Sequence, residues 1–544
     1  MRVSAFGVSG CRPGPQTSNR CDNVGRLLST VLKSSGQSTI NSHSYQLNAA
    51  SQRTQQVFTA GNYVDYTYDR IGQLQTAQGK ESGGTTNRLH EQLGYGYDAA
   101  GNLHYRTNNA LTQTFNVNDL NELTTGTRSG TLTVEGTTTG PATNVTVNGL
   151  NAILYGDYTF ASANQSLADG NNTFAAIARD SYGRRDTNTI NSYLPSTSTF
   201  TYDQNGNLTG DGKRCFAYDY ENQLTSVWVT NVWRSDFAYD GKMRRRIRCE
   251  STWSGTTWVT DTIVRYVYEG NLVIQERDAN NFPLVTYTRG RDLSGSLQGA
   301  GGIGGLLART DNRLFAIGDS SAHAYYHADG NGNITCLINT NQIIVAHYLY
   351  DPYGNILSQS GPLADANLYR FSSKEFHAAS GLVYYLYRFC EGSLQRWLNR
   401  DPLEDVGTLA AKPVRAPMVG AVYAFPNAFI ALRNAPPDFM DPFGQYAIPL
   451  PWPVVTEWPI GTIIFVGSAI IAGVIAGYAI CNGHNPKETC PYFTETIQEE
   501  IGNPYDFDGY YFPKMKICVY KCPKKGLVRE YLPENGKCAS AVQR

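Results

Sequence analysis

The sequence predicts an all-β protein: a long antiparallel sheet of repeated β-hairpins that must spiral or close to hide its edges, followed by a short helical and Cys-rich C-terminal region. Two observations predict the sheet. Charged residues make up only 17% of the 544 residues, whereas Gly (53) and Tyr (36) are abundant, and these two residue types suit tight turns and half-buried strands. A short motif beginning with Tyr-Asp also recurs along the chain, as it does in proteins built from repeated units.

The repeat has the form Tyr-Asp, two variable residues, Gly-Asn and then Leu. Complete copies occupy residues 97–103 and 202–208, and looser copies begin at Tyr68, Tyr218 and Tyr239. The aromatic residue ends a strand, Asp and Gly-Asn form a turn that tolerates positive φ, and the apolar residue begins the next strand. Because one hairpin cannot bury its own face, neighbouring hairpins are expected to pair into a long sheet.

Residues 1–60 are predicted to be an irregular N-terminal segment, a truncated part of the shell. The first 30 residues contain no apolar run of the length that a secretory signal needs, so no signal peptide is visible. Either a dedicated machine exports the protein or the chain is the distal piece of a longer one. The abrupt entry into repeats near Tyr63 favours the second interpretation.

The charge balance argues against nucleic acid as a partner. The chain carries 45 basic and 46 acidic residues, a net charge of -1, so no global field attracts a polyanion. The densest basic run, residues 242–248, is predicted to be a solvated strand and turn.

Two sets of motifs carry a family resemblance. The Tyr-Asp units resemble the YD repeats of Rhs proteins, of the C components of insecticidal Tc toxins and of teneurins, which wind into a hollow β-cocoon. The second half resembles the Rhs repeat-associated core, and its matching motifs are residues 287–308, 327–334, 350–357, Tyr369-Arg370-Phe371, Tyr387-Arg388-Phe389, Arg396-Trp397, Arg400-Asp401-Pro402 and Asp441-Pro442-Phe443-Gly444. The resemblance implies a YD-repeat shell over residues 61–285, a core over 286–444 and a variable C-terminal segment over 445–544.

The core departs from the family pattern in its middle. Cys390-Glu391-Gly392 stands where the family has Tyr-Asp-Pro, and residues 408–420 read as an insertion after Gly407. The frame of the core is present on both sides of these departures.

The resemblance implies a self-cleaving aspartyl-type site at the end of the core. Its carboxylates would be Asp401 and Asp441: two close carboxyl groups share a proton, so one activates water while the other protonates the leaving group. Arg400 is expected to orient one carboxylate or to stabilise developing negative charge. The predicted scissile bond joins Gln445 and Tyr446. The alternative is that both Asp residues only cap their own turns.

Other motifs predict packing rather than chemistry. The Gly-rich run at residues 299–305 lacks the Lys-Ser or Lys-Thr of a phosphate loop, so it indicates close backbone packing. The eight His residues are scattered along the chain, and no metal or cofactor site is expected. Tyr-rich strands allow carbohydrate stacking, but cross-strand packing is the favoured interpretation.

The C-terminal segment contains an apolar run. Residues 460–480 carry no charge, and at about 1.5 Å per residue a helix of this length would cross a bilayer. Gly473 and Gly477 form a G-x-x-x-G pair that lets helices approach closely. We expect a membrane-inserting helix; the alternatives are a helix buried in protein and an apolar strand pair.

Five cysteines follow that run: Cys481, which would be left over, and a set of four, Cys490, Cys518, Cys522 and Cys538. Their spacing is poor for zinc, which prefers paired C-x-x-C motifs, so disulfides in an oxidising compartment are the favoured prediction.

Together these features predict an Rhs-type polymorphic-toxin or delivery protein, secreted or at the cell surface. Its shell would enclose its own C-terminal segment and release it by cleavage near Gln445 as a membrane-active effector. Further expected partners are the membrane, through residues 460–480, a carbohydrate and a cognate immunity protein, but no nucleic acid. The alternative is a non-catalytic surface scaffold or adhesin, with a carbohydrate-binding role, anchored by residues 460–480.

Overall fold

The computed structural model describes residues 15–402, 427–445 and 447–450, and the strand backbone at residues 458–459, 489–490, 492–497, 515–522, 526–533 and 542–543. The chain divides into two units, Met1–Ile460 and Gly461–Arg544.

The first large sheet is antiparallel, and its strands follow one another in chain order. They are β1 (Gln16–Cys21), β2 (Leu27–Lys33), β3 (Thr39–Leu47), β4 (Arg53–Phe58), β5 (Tyr63–Tyr68), β6 (Leu74–Lys80), β7 (Asn87–Tyr97), β8 (Leu103–Asn108), β9 (Leu111–Val117) and β10 (Leu123–Gly130). The irregular segment predicted for residues 1–60 is therefore wrong for residues 16–58, because these strands join the same hydrogen-bonded ladder as the repeats that follow.

Two small sheets interrupt the repeats after β10. Their strands are β11 (Leu132–Thr137), β12 (Asn144–Val147), β13 (Leu150–Asn151), β14 (Ile153–Leu154), β15 (Thr159–Gln165), β16 (Gly170–Arg179) and β17 (Arg185–Leu194). They share a core of Val145, Val147, Phe160 and Phe174. The first large sheet resumes with β18 (Thr197–Thr199), which pairs with β10.

The second large sheet has 14 antiparallel strands, again in chain order. They are β19 (Thr201–Tyr202), β20 (Leu208–Gly210), β21 (Cys215–Tyr218), β22 (Leu224–Val229), β23 (Trp233–Tyr239), β24 (Arg245–Trp253), β25 (Trp258–Glu269), β26 (Leu272–Arg277), β27 (Pro283–Arg289), β28 (Leu306–Asp311), β29 (His323–Ala328), β30 (Ile334–Asn339), β31 (Ile344–Tyr350) and β32 (Ile356–Ser360). A short helix α1 (Asn312–Ala316) and a 3-10 turn (Ser320–Ala322) lie between β28 and β29. The predicted boundary at 285/286 falls inside β27, because the ladder continues through it.

The Tyr-Asp repeat forms the turns of both sheets. In the copy at residues 97–103, the Asp98 carboxylate accepts hydrogen bonds from the amides of Ala100 (2.9 Å) and Asn102 (2.8 Å). Gly101 adopts φ 77°, which only glycine adopts at little cost. The same carboxylate-to-amide pattern recurs at Asp69, Asp203, Asp219, Asp240, Asp278, Asp329 and Asp351. The predicted hairpin repeat and the all-β class are confirmed, whereas a hollow interior stays a prediction.

The core motifs form a small sheet that packs on the second large sheet. Its strands are β33 (Glu375–His377), β34 (Leu382–Tyr384), β35 (Phe389–Glu391) and β36 (Arg396–Trp397), and the short strands β37 (Phe439–Met440), β38 (Ile448–Pro449) and β39 (Trp458–Pro459) follow. Leu382, Tyr384, Phe389 and Leu398 pack against Leu208, Phe216, Leu224, Val227 and Phe237. Burial of this apolar surface holds the small sheet in place.

One residue of the basic run departs from the prediction of a solvated strand. Arg245 in β24 is fully buried, and its guanidinium forms an ion pair with Glu375 of β33, which is itself buried. The Tyr266 hydroxyl donates to the other Glu375 oxygen at 3.0 Å. Side chains alternate along a strand, so Arg245 faces inward, where the core supplies the opposite charge.

Two buried histidines lie where the first sheet contacts the second. His43 of β3 and His327 of β29 stack with ring centroids 6.1 Å apart. His43 Nε2 lies 3.0 Å from Thr335 Oγ1, and His327 Nδ1 lies 3.0 Å from Asn41 Nδ2. Burial is the main cause that lowers the pKa of each imidazole to about 3; the charges of His347 and Arg53 contribute at His43, and that of His43 contributes at His327.

This pair predicts loss of stability in acid. The unfolded chain binds protons with the ordinary His pKa of about 6.5, whereas the fold keeps both rings neutral. The contribution of the pair to the free energy of unfolding is therefore constant above about pH 6.5. Below that pH it falls, by up to about 1.4 kcal/mol per pH unit for each ring. Denaturant midpoints measured across that range in the wild type and in His43→Gln/His327→Gln check this. The exposed His104→Gln variant is the control. If the midpoint of the double variant changes with pH as steeply as that of the wild type, the two buried histidines are not the cause of the acid sensitivity.

The second unit is described by its strand backbone. Strands β41 (Tyr492–Ile497), β42 (Met515–Cys522) and β43 (Gly526–Pro533) form an antiparallel sheet, and β40 (Thr489–Cys490) pairs with β44 (Val542–Gln543). The predicted helix at 460–480 and Cys538 lie outside the described residues, so the membrane helix and the disulfides stay predictions. Within the part of the chain that the structure describes, no helix is long and apolar enough to cross a membrane.

Candidate active site

Asp441 lies in the Asp-Pro turn, residues 441–444, which directly follows β37. Its Oδ1 accepts hydrogen bonds from the amides of Phe443 (3.2 Å), Gly444 (2.7 Å) and Gln445 (3.1 Å). The residue is 1% exposed. The carboxylate therefore holds the backbone next to the predicted cleavage position, and it also caps its own turn, as the alternative interpretation requires.

Gly444 allows this turn to approach the rest of the core. Its φ is 78°, and a Cβ there would lie 3.1 Å from Tyr385 Cβ and 3.2 Å from the Arg388 amide nitrogen. Only glycine combines this backbone conformation with so close a contact.

Arg388 joins the two predicted carboxylates. The residue is the last of the turn between β34 and β35, and it is buried. Its Nη2 lies 2.8 Å from Asp401 Oδ2 and 3.7 Å from Asp441 Oδ2. Its Nε donates to the carbonyl oxygen of Gly444, and its guanidinium lies over the Trp397 ring at 4.3 Å. Its Nη1 donates to the Ala428 carbonyl oxygen at 3.1 Å, so two carboxylates and two backbone carbonyls converge on a single buried cation.

Arg400 does not take the position predicted for it. Its guanidinium packs against the repeat turn at Gly206, where an added Cβ would lie 2.7 Å from Arg400 Nε. Among residues 15–402 and 427–450, no ion pair links Arg400 to Asp401 or Asp441. Arg388 occupies the place expected of Arg400, because its turn points it toward the end of the core.

The electrostatic surroundings distinguish the two carboxyl groups. Burial raises the pKa of Asp441, and the Arg388 charge and the three backbone amides only partly offset that effect. Asp401 is less buried, with 13% of its side chain exposed, and it makes the shorter contact with Arg388. The pKa of Asp441 is therefore raised while Asp401 makes the closer contact with Arg388, an asymmetry of the kind that acid–base catalysis by a carboxyl pair uses.

The site polarises one particular peptide bond. The Gly444 carbonyl that receives the Arg388 hydrogen bond belongs to the Gly444–Gln445 bond, one residue before the predicted one. Tyr446 lies outside the described residues, so cleavage at Gln445–Tyr446 stays a prediction. Within the described ranges, no group of three or more His, Cys, Asp or Glu side chains is placed to hold a metal ion.

Comparison with known proteins finds partial similarity. No family model matches the chain. The tRNA3(Ser)-specific nuclease WapA of Bacillus spizizenii is 27% identical over 209 residues, which cover 38% of this chain and 8% of that protein. Salivary gland surface protein 1 of Aedes aegypti is 24% identical over 189 residues, 34% of this chain and 5% of that protein. The match thus spans less than a tenth of the length of either relative.

Solved structures with similar folds include toxin complexes. The TcdB2-TccC3 crystal structure matches 79% of this chain and 22% of that chain, at a TM-score of 0.32 and 15% identity. The Photorhabdus luminescens Tc holotoxin pore matches 81% of this chain and 22% of that chain, at a TM-score of 0.34 and 16% identity. Both similarities are at low sequence identity.

Proposed function

We propose that this chain is an Rhs-type delivery protein of the polymorphic-toxin class, which frees its C-terminal segment by self-cleavage at the site of Arg388, Asp401 and Asp441. The observation that carries the proposal is the convergence of both carboxylates on Arg388, whose Nε donates to the Gly444 carbonyl. Turn capping alone accounts for the contacts of Asp441 with its own backbone, but not for a buried cation shared with Asp401.

The proposed step is hydrolysis of the Gly444–Gln445 peptide bond. Asp401 takes a proton from water as the water oxygen attacks the Gly444 carbonyl carbon, and the developing oxyanion stays beside Arg388. Asp441 Oδ1 lies 3.1 Å from the Gln445 nitrogen, so protonated Asp441 gives its proton to the leaving amine as the C–N bond breaks. The products are a carboxylate at Gly444 and an amine at Gln445.

The freed segment is proposed to act on membranes. Residues 460–480 carry no charge, and a run of this length and apolarity suits a bilayer. A shell would keep such a segment out of water until its release, outside the producing cell. A cognate immunity protein would then protect the producer. The tRNA specificity in the WapA names is not carried over, because the net charge of this chain is -1 and the match covers 8% of that relative.

Mass spectrometry of the purified full chain tests the cleavage. We expect two fragments, one ending at Gly444 and one beginning at Gln445, or beginning at Tyr446 if the bond predicted from the sequence is cut. N-terminal sequencing distinguishes the two bonds. A single intact species of 544 residues in a folded sample would contradict self-cleavage.

Expression of residues 445–544 in bacteria tests the activity of the segment. Toxicity with loss of membrane potential supports a membrane-active effector. Harmless residence in the membrane supports the surface scaffold instead.

A further inference from the structure

Lys374 is a buried cation beside the Asp-Pro turn, and the hydrolysis step does not use it. Its Nζ donates to the carbonyl oxygens of Pro442 (2.6 Å) and Gly301 (2.8 Å), and the residue is 8% exposed. The Tyr385 and Phe443 rings lie 5.6 Å and 5.9 Å from the ammonium nitrogen. The ammonium group thus connects two segments that are far apart in the sequence.

The Gly-rich run supplies the other half of this contact. Gly301 adopts φ 60°, and a Cβ there would collide with the Pro442 carbonyl and lie 2.9 Å from Lys374 Nζ. The Asp292 carboxylate holds the run in place by accepting from the amides of Ala300 (2.7 Å) and Gly302 (3.1 Å). The close packing that the glycines predict therefore brings this loop onto the Asp-Pro turn.

The charged groups around Lys374 make its own charge sensitive to pH. Burial and the Arg289 charge lower the Lys374 pKa, the negative charges of Asp441 and Asp292 partly offset them, and the resulting pKa is about 7. Protonated Lys374 donates to both carbonyls at once. The neutral amine is a weaker donor, so the contact weakens as the pH rises through this range.

We propose that Lys374, seated against Gly301, is a positioning residue that holds the Asp-Pro turn so that Asp441 and the Gly444 carbonyl face Arg388. The inference rests on the proposed self-cleavage and extends it. Lys374 contacts neither the scissile bond nor the attacking water; it acts through the Pro442 carbonyl, the group adjacent to Asp441 in the chain.

The test compares the full-length wild type with Lys374→Met and Lys374→Arg. Leu93→Ala, in the first sheet and away from the site, controls for general destabilisation. Two quantities are read: the cleavage rate by mass spectrometry at several pH values around about 7, and hydrogen exchange of the Phe443, Gly444 and Gln445 amides in the fraction that is still uncut, because cleavage turns the Gln445 amide into an amine. The exchange readout does not require that the chain be cut.

We expect Lys374→Met to slow cleavage by about 100-fold, since misplacement by about 1 Å has that effect, and to speed exchange of the three amides, whereas Leu93→Ala changes neither. The wild-type cleavage rate should fall as the pH rises and Lys374 loses its proton. The Lys374→Arg rate should stay constant over the same pH range, because a guanidinium group keeps its charge.

The possible failures are distinguishable. Lys374→Met that is cut at the wild-type rate with unchanged exchange overturns the positioning role. A wild type that is never cut overturns the proposed function. In that case the ratio of the amide exchange rates in Lys374→Met and in the wild type still decides whether Lys374 holds the turn. If Lys374→Met does not fold, the pH profile of Lys374→Arg decides, and a profile identical to that of the wild type overturns the inference.

Discussion

Replacing Asp441 with Asn is expected to slow self-cleavage by about 10² to 10⁴-fold, the contribution of a positioned general acid. The amide oxygen of Asn still accepts hydrogen bonds from the Phe443, Gly444 and Gln445 amides, so the turn keeps its shape while the transferable proton is lost. The fraction of cleaved chain is measured over time after refolding from denaturant, by mass spectrometry.

Asp438→Asn is the matched control for this variant. Asp438 lies three residues before Asp441, burial likewise raises its pKa, and it accepts from the Arg53 amide at 2.8 Å, away from Arg388. Its replacement should leave the rate within about twofold. If Asp441→Asn is cut as fast as the wild type, Asp441 only caps its turn, and the aspartyl mechanism is wrong.

Replacing Glu375 with Gln is expected to lower the free energy of unfolding by about 3 to 5 kcal/mol. Arg245 is fully buried, its charge is balanced by Glu375, and three aromatic rings surround its guanidinium. An amide leaves that charge uncompensated in a region where water cannot screen it. The measurement is the shift of the denaturant midpoint relative to the wild type.

The double variant Arg245→Met/Glu375→Leu separates charge from packing. Removing both ions should recover much of the loss, because an apolar pair of similar volume replaces a buried ion pair at little cost. The surface pair of Arg184 and Asp180 is the control, and Asp180→Asn should leave the denaturant midpoint close to that of the wild type. A Glu375→Gln midpoint equal to that of the wild type would show that this ion pair does not hold the small sheet of the core motifs on the second large sheet.

The repeat turns were predictable from the sequence because their chemistry is local. An Asp that accepts from amides two and four residues ahead, as Asp98 does, depends only on residues within one turn. Asp441, which the family resemblance supplied, also makes such local contacts, since its Oδ1 partners lie within four residues. Residues 16–58 were misjudged because they lack complete Tyr-Asp copies, yet they extend the ladder through pairing between strands, which tolerates many sequences.

The sequence by itself determined the all-β class and the hairpin turns, since each depends on a motif of a few residues, and its resemblance to the Rhs core pointed to the two carboxylates of the candidate site. Only the tertiary structure decided which cationic side chains contact those carboxylates and their turn. Arg388 reaches Asp401 across 13 residues, Lys374 reaches Pro442 across 68, and Arg400 turns away to the Gly206 turn. The physical reason is that strand register and core packing determine which groups a long side chain contacts. Neither register nor packing is encoded in the spacing of a local motif.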